Sequence, residues 1–105
     1  MIDQKNKIVV AKTSEIKDGG MKTVSINGKN ITIARVDKDY FAFDDICTHN
    51  KCSLGEGYLD GTVVICPCHG ATFDVTNGKV LSLPANDALS TYDVLVEESD
   101  ILLKF

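Results

Sequence analysis

No stretch of this chain approaches the run of about 18 apolar residues that a membrane-crossing helix needs. Residues 1–7, Met-Ile-Asp-Gln-Lys-Asn-Lys, are polar where an export signal requires an apolar centre, so the sequence predicts a cytoplasmic chain without a membrane span. Basic residues are few and scattered. The 11 Lys plus Arg against 15 Asp plus Glu give a net charge of -4, which leaves no basic patch for nucleic acid or an anionic membrane surface. There is no amphipathic helix of useful length, no internal repeat and no low-complexity segment. No nucleophile is paired with a base in a recognisable arrangement, so nothing points to an enzyme with its own substrate pocket. At 105 residues the chain has room for one domain, whose modest core gains from a cross-link or a metal group.

What is present is a series of short β-rich runs separated by turn signals. Residues 8–11 (Ile-Val-Val-Ala) form the first, and residues 13–16 (Thr-Ser-Glu-Ile) read as one helical turn capped by a hydroxyl and ended at Asp18-Gly19-Gly20. Residues 22–26 and 31–36 place Val24, Ile26, Ile31 and Ile33 in alternation with polar neighbours around Asn27-Gly28, which is a hairpin signal. Residues 40–43 follow a turn at 37–39. Residues 58–59 and 62–65 flank Asp60-Gly61, and residues 71–75 and 79–83 flank Asn77-Gly78. A closing hairpin spans 92–97 and 101–105, with Tyr92, Val94, Val96, Ile101, Leu103 and Phe105 alternating as one apolar face. The pattern predicts an all-β antiparallel fold.

Cysteine occurs four times and histidine twice, and all six residues lie between positions 47 and 69. One group is Cys47, His49 and Cys52; the other is Cys66, Cys68 and His69, with residues 50–65 separating His49 from Cys66. Six metal-capable side chains in two tight groups are hard to explain as core filling and read as two ligand loops facing each other. Each loop supplies a Cys and a His at short range. Thiolates donate softly to ferric iron, while neutral imidazoles suit an iron that accepts an electron. Structural zinc is an alternative, since four Cys and two His contain a tetrahedral set with two to spare. Zinc ribbons and fingers usually separate paired ligands by two to four residues, whereas Cys47/His49 and Cys66/Cys68 are separated by one. Two structural disulfides are a further alternative.

The pattern Cys47-x-His49, a gap, then Cys66-x-x-His69 resembles the Rieske 2Fe-2S family, and the resemblance extends over most of the chain. It implies a single Rieske domain over residues 1–105. An antiparallel β-base is built from both chain ends, and a small cluster-binding subdomain is inserted at about residues 44–83. By the same resemblance Cys47 and Cys66 hold one iron of a 2Fe-2S cluster, and His49 and His69 hold the other. Two thiolates and two neutral imidazoles leave the oxidised site without net charge, where four thiolates leave it doubly negative. Reduction is then easier, which places such centres at about -150 to +300 mV.

Cys52 and Cys68 stand where the cytochrome bc subgroup has a disulfide between the two loops, a pair that many soluble Rieske ferredoxins lack. In a reducing compartment such a bond needs shielding by the fold. High-potential members follow Cys-His-Gly with a Ser and, two residues later, a Tyr, whose hydroxyls bond cluster sulfur; here those positions are Ala71 and Phe73. Gly55, Gly57 and Gly70 are expected at positive φ, bringing amides near sulfur, although a plain turn role requires the same residues; Asp44, Asp45 and Asp74 are expected as solvated strand-end carboxylates, with the alternative that some of them hold the subdomain to the base. Pro84 falls where the family has a proline-bearing loop over the cluster, or simply ends a strand. The function implied is one-electron transfer from a flavin-dependent reductase to a terminal oxygenase or other acceptor, the carrier having no catalytic residues of its own. A small Rieske subunit of a nitrite reductase-like complex and a zinc-stabilised interaction module are the other readings.

Overall fold

The computed structural model describes residues 7–48, 51–68, 70–82 and 87–104. Among these, ten strands form two antiparallel sheets. The first has the order β1-β10-β9-β4-β3-β2 and is built from β1 (Lys7–Lys12), β2 (Met21–Ile26), β3 (Lys29–Val36), β4 (Asp39–Asp44), β9 (Thr91–Glu97) and β10 (Asp100–Lys104). The second has the order β5-β6-β7-β8, from β5 (Tyr58–Asp60), β6 (Val63–Ile65), β7 (Thr72–Asp74) and β8 (Val80–Ser82). All four strands of the smaller sheet thus fall between β4 and β9 in the chain. The larger sheet is closed by pairing of Ala42 with Tyr92 and Phe43 with Thr91, which joins the N-terminal strands to the C-terminal hairpin.

Turn chemistry accounts for the registers. Asn27 (φ 52°) and Gly28 (φ 81°) are both left-handed, as a two-residue primed turn requires, so Ile26 pairs with Lys29. In the smaller sheet the tight turn is Gly61-Thr62 rather than the expected Asp60-Gly61: Asp60 already pairs with Val63, and Gly61 takes φ 58° at the first turn position. After β1, a single 3-10 turn covers Thr13–Glu15. Its cap is not a hydroxyl. The Glu15 carboxylate turns back to accept the Lys12 amide at 2.7 Å, and Lys22 holds the same carboxylate at 3.2 Å.

The two faces of the larger sheet carry different cores. Ile31 and Ile33 of β3, Ala42 of β4 and Ile101 and Leu103 of β10 lie on one face with Ala11 and Ile16. Ala34 and Phe43, one residue out of phase, lie on the other and pack with Val64 and Phe73 of the smaller sheet. The smaller sheet is therefore held by a hydrophobic core it shares with the larger one. Burying Phe43 and Phe73 completely contributes about 2 to 3 kcal/mol each. The expected alternation of the last hairpin is not kept throughout: Val96 is 47% exposed and Leu102 is buried between Ile101 and Leu103, while Phe105 lies outside the described residues. The pairing of β4 with β9 reaches only Thr91 and Tyr92, so Val96 pairs with Ile101 of β10 on one side and has no paired strand on the other among the described residues.

Candidate metal centre

The first cysteine/histidine loop leaves the sheet at the end of β4 and returns through a second 3-10 turn, Leu54–Glu56. Its neck is a short ladder. The Leu54 amide donates to the Asp45 carbonyl at 2.7 Å, Ile46 bridges Ser53, and the Cys47 amide donates to the Cys52 carbonyl at 2.9 Å. At the far side, the Thr48 hydroxyl donates to the Asp87 carbonyl at 2.6 Å. The second loop connects β6 to β7. It is closed by the Cys66 amide on the Ala71 carbonyl at 2.8 Å and by the Gly70 amide on the Cys66 carbonyl at 3.1 Å, with Gly70 at φ 76°.

A disulfide between Cys52 and Cys68, with α-carbons 6.4 Å apart, joins the two loops. It is not shielded in the way a reducing compartment demands, because Cys68 is exposed and Cys52 half-buried. Cys47 and Cys66 take no part in that bond and are 2% and 1% exposed. They belong to one core cluster with Leu54, Val64, Ala71 and Phe73, so the positions singled out at 71 and 73 are packed in the same cluster as both thiols. His49, His69 and Pro84 lie outside the described residues. Among the described residues no three metal-capable side chains converge.

Three expectations at the loops change. Asp45 is not a solvated strand-end carboxylate but is 2% exposed. Its Oδ1 accepts the Thr32 hydroxyl at 2.7 Å, the Gly55 amide at 2.8 Å, the Ser53 hydroxyl at 2.9 Å and, more weakly, the Thr23 hydroxyl at 3.4 Å. Gly55 and Gly57 do not adopt positive φ; they are small because a β-carbon at Gly55 would overlap the Thr23 hydroxyl and one at Gly57 the Ile65 carbonyl. The Gly55 amide serves the Asp45 carboxylate and the Gly70 amide a carbonyl, where sulfur had been expected. No sequence signal marked Asp45: Thr32 alternates with Ile31 and Ile33 and so reads as a solvent-facing residue, yet it is fully buried.

The other two carboxylates keep contact with water. Asp44 accepts the Tyr92 hydroxyl at 2.5 Å and lies 3.7 Å from Lys29 Nζ. Burial, followed by the bond to Asp44, pushes the Tyr92 phenol above its ordinary value. At the turn after β7, the hydroxyl and then the amide of Thr76 hold the Asp74 carboxyl below the usual carboxylate range.

Two buried thiols, one from each loop and in one cluster, suit a group bound by soft thiolate donation and screened from water. Neither of these thiols takes part in the Cys52–Cys68 bond, so both remain as donors. The donor set therefore fits an iron-sulfur cluster.

Comparison with known proteins bears on the same point. The Rieske [2Fe-2S] domain family matches residues 6–93. The 3-phenylpropionate/cinnamic acid dioxygenase ferredoxin subunit of Photorhabdus laumondii is 39% identical over 99 residues, which span 93% of each chain. Among solved structures, the ferredoxin of carbazole 1,9a-dioxygenase from Nocardioides aromaticivorans superimposes with a TM-score of 0.91 at 26% identity, over 94% of this chain and 97% of that one. A chain in the complex of reduced oxygenase and oxidized ferredoxin of carbazole 1,9a-dioxygenase gives 0.90 at 33% identity, over 94% and 93%. No helix among the described residues is long and apolar enough to cross a membrane. With two buried loop thiols on an all-β antiparallel frame, and a match over most of its length, the chain belongs to the Rieske [2Fe-2S] domain family, whose single 2Fe-2S cluster is its cofactor.

Proposed function

We propose that this chain is the ferredoxin component of a multicomponent dioxygenase, taking one electron from a flavin-dependent reductase and delivering it to a terminal oxygenase. The observation that carries this reading is the two-way match with stand-alone ferredoxins: the chain and its dioxygenase ferredoxin relative each cover 93% of the other. A fold neighbour occurs in a complex of oxygenase with ferredoxin, which supports a terminal oxygenase as the acceptor.

In this reading Cys47 and Cys66 hold one iron and His49 and His69 the other, within a cluster-binding subdomain at about residues 44–83. The bound cluster supplies one-electron chemistry, with histidine ligation easing reduction. The chain supplies the rest. The shared core keeps water from the two thiols, and the Cys52–Cys68 bond ties the loops to each other. The narrow necks at Asp45/Leu54 and Cys66/Ala71 restrict loop movement between oxidation states, so little structural rearrangement accompanies transfer.

The test is direct. The purified protein is expected to be red-brown, with two irons and two sulfides per chain and a rhombic EPR signal only when reduced. Mixed with a flavin-dependent reductase and a terminal oxygenase, it is expected to be reduced by the first and reoxidised by the second. A colourless protein with stoichiometric zinc overturns the metal centre; a cluster that such a reductase cannot reduce overturns the carrier role.

A further inference from the structure

Among the described residues near the site, the Asp45 carboxylate is the densest polar junction. Its donors come from three places. Thr23 and Thr32 belong to adjacent strands β2 and β3 and also bond each other at 2.9 Å, while Ser53 and Gly55 lie on the returning arm of the first ligand loop. Asp45 itself is on the outgoing arm, with its amide on the Asn30 carbonyl at 3.0 Å. One oxygen atom therefore fastens both arms of the loop to the larger sheet. Cys47 follows two residues later, at most about 7 Å along the chain.

Burying a carboxylate is costly unless its bonds are made, and an apolar side chain would fill this space at less cost. A well-packed core needs no carboxylate here. What the carboxylate adds is direction: three close donors on one short side chain, with the Thr23 hydroxyl behind Thr32, define the angle at which the loop leaves the sheet, which dispersion contacts alone do not. Next to it, the absence of a side chain at Gly55 lets the returning arm come within bonding distance.

We propose that Asp45 is a positioning residue for the metal centre, fixing the neck of the first ligand loop so that the Cys47 thiolate meets the cluster in one orientation. This rests on the assignment of Cys47 as a ligand, made above. Asp45 acts through the loop and touches no reacting atom.

The experiment compares wild type, Asp45→Ala, Asp45→Asn and Thr32→Val as holoproteins. It follows iron content, the EPR g-values and midpoint potential of the reduced centre, the rate of cluster loss to a chelator, and hydrogen exchange of β3 and β4 amides. Asp45→Ala is expected to lose its cluster about tenfold faster or more, with altered g-values and a shifted potential, because several donors lose their acceptor at once. Asp45→Asn keeps one acceptor oxygen and is expected to restore the g-values largely. Thr32→Val keeps the shape while removing one donor, and carries the test if Asp45→Ala does not fold: faster cluster loss with β3 and β4 exchange unchanged is expected. Unchanged loss rate, g-values and potential in Asp45→Ala overturn the proposal. So does loosening of β3 and β4 in proportion to cluster loss, since that marks ordinary support of the fold. Wild-type protein without iron overturns instead the ligand assignment beneath it.

Discussion

Gly55 donates its amide to Asp45 Oδ1 at 2.8 Å, and its α-carbon sits so close to Thr23 that a β-carbon would overlap the hydroxyl oxygen. A side chain must therefore push the returning arm of the first ligand loop off the sheet. Gly61 makes a contrast: nothing lies within 4 Å of the space a β-carbon would occupy, and the residue is glycine because φ is 58°. Gly55→Ala is expected to destabilise the protein by about 2 kcal/mol or more through overpacking and a stretched bond to Asp45. Gly61→Ala is expected to cost about 1 kcal/mol, from the left-handed backbone alone. Urea unfolding of both variants checks the difference. EPR adds a second check, since only Gly55→Ala is expected to disturb the metal centre.

The cross-link between the loops is expected in the isolated protein. Mass spectrometry without reductant, after alkylation, is expected to find Cys52 and Cys68 joined and unmodified. Closing a loop with a sequence separation of 16 is worth about 3 kcal/mol in the chain-entropy account, so Cys52→Ser with Cys68→Ser is expected to lower stability by about 2 to 4 kcal/mol. Because Cys68 is exposed, a dithiol is expected to open the bond in the folded protein within ordinary exchange times. Two alkylated thiols beside an intact cluster, with no reductant added, contradict this assignment.

Alkaline stability depends on Tyr92. Burial first, and the bond to Asp44 second, raise its pKa in the folded chain above the ordinary value of about 10. A phenol with a raised folded pKa favours the folded state fully below pH 10. That contribution is lost as pH rises past the unfolded value towards the folded one, because the unfolded chain releases its proton first. Stability of the wild type is therefore expected to fall above about pH 10. Tyr92→Phe removes the titrating group and is expected to show a shallower fall over the same window, with somewhat lower stability near neutrality from the lost hydroxyl bond to Asp44. Denaturant midpoints measured from pH 8 to 11 decide it; parallel curves for the two proteins contradict the assignment.

Local signals in the sequence carried most of the architecture. Asn27-Gly28 and the alternation of Ile31 and Ile33 with polar residues require only near neighbours, and hairpins follow from near neighbours. The pairing of Cys52 with Cys68 followed from their equivalent placement in the two loops together with family resemblance. What escaped was convergence of distant residues. Asp45 meets Thr23 and Thr32 from two other strands, and no window along the chain holds all three. Gly55 and Gly57 look like turn glycines until the opposing Thr23 and Ile65 atoms are in place. Val96 has the period of a buried residue but lies beyond the two residues of β9 that pair with β4, which is a matter of strand pairing and not of pattern. His49 and His69 stand among the candidate ligands on their spacing to Cys47 and Cys66, with their geometry outside the described residues.

The reduction potential is expected to lie in the lower half of the range of about -150 to +300 mV, for a reason seated at Ala71 and Phe73. Both are wholly buried in the cluster that contains Cys47 and Cys66, and neither carries a hydroxyl. A hydroxyl bonded to cluster sulfur stabilises the reduced state more than the oxidised one, because reduction adds negative charge to the acceptor. One such bond of about 1 kcal/mol corresponds to roughly 40 mV for a single electron. Ala71→Ser and Phe73→Tyr are therefore each expected to raise the midpoint potential by several tens of millivolts, and the double variant by more. Stability distinguishes a hydroxyl that finds sulfur from one that does not. A bonded hydroxyl leaves the unfolding midpoint nearly unchanged, whereas a stranded one in this dry core costs about 1 to 3 kcal/mol and leaves the potential where it was. If crystals show the new hydroxyls on sulfur and the potential has not moved, hydrogen bonding at these two positions does not set the potential of this protein.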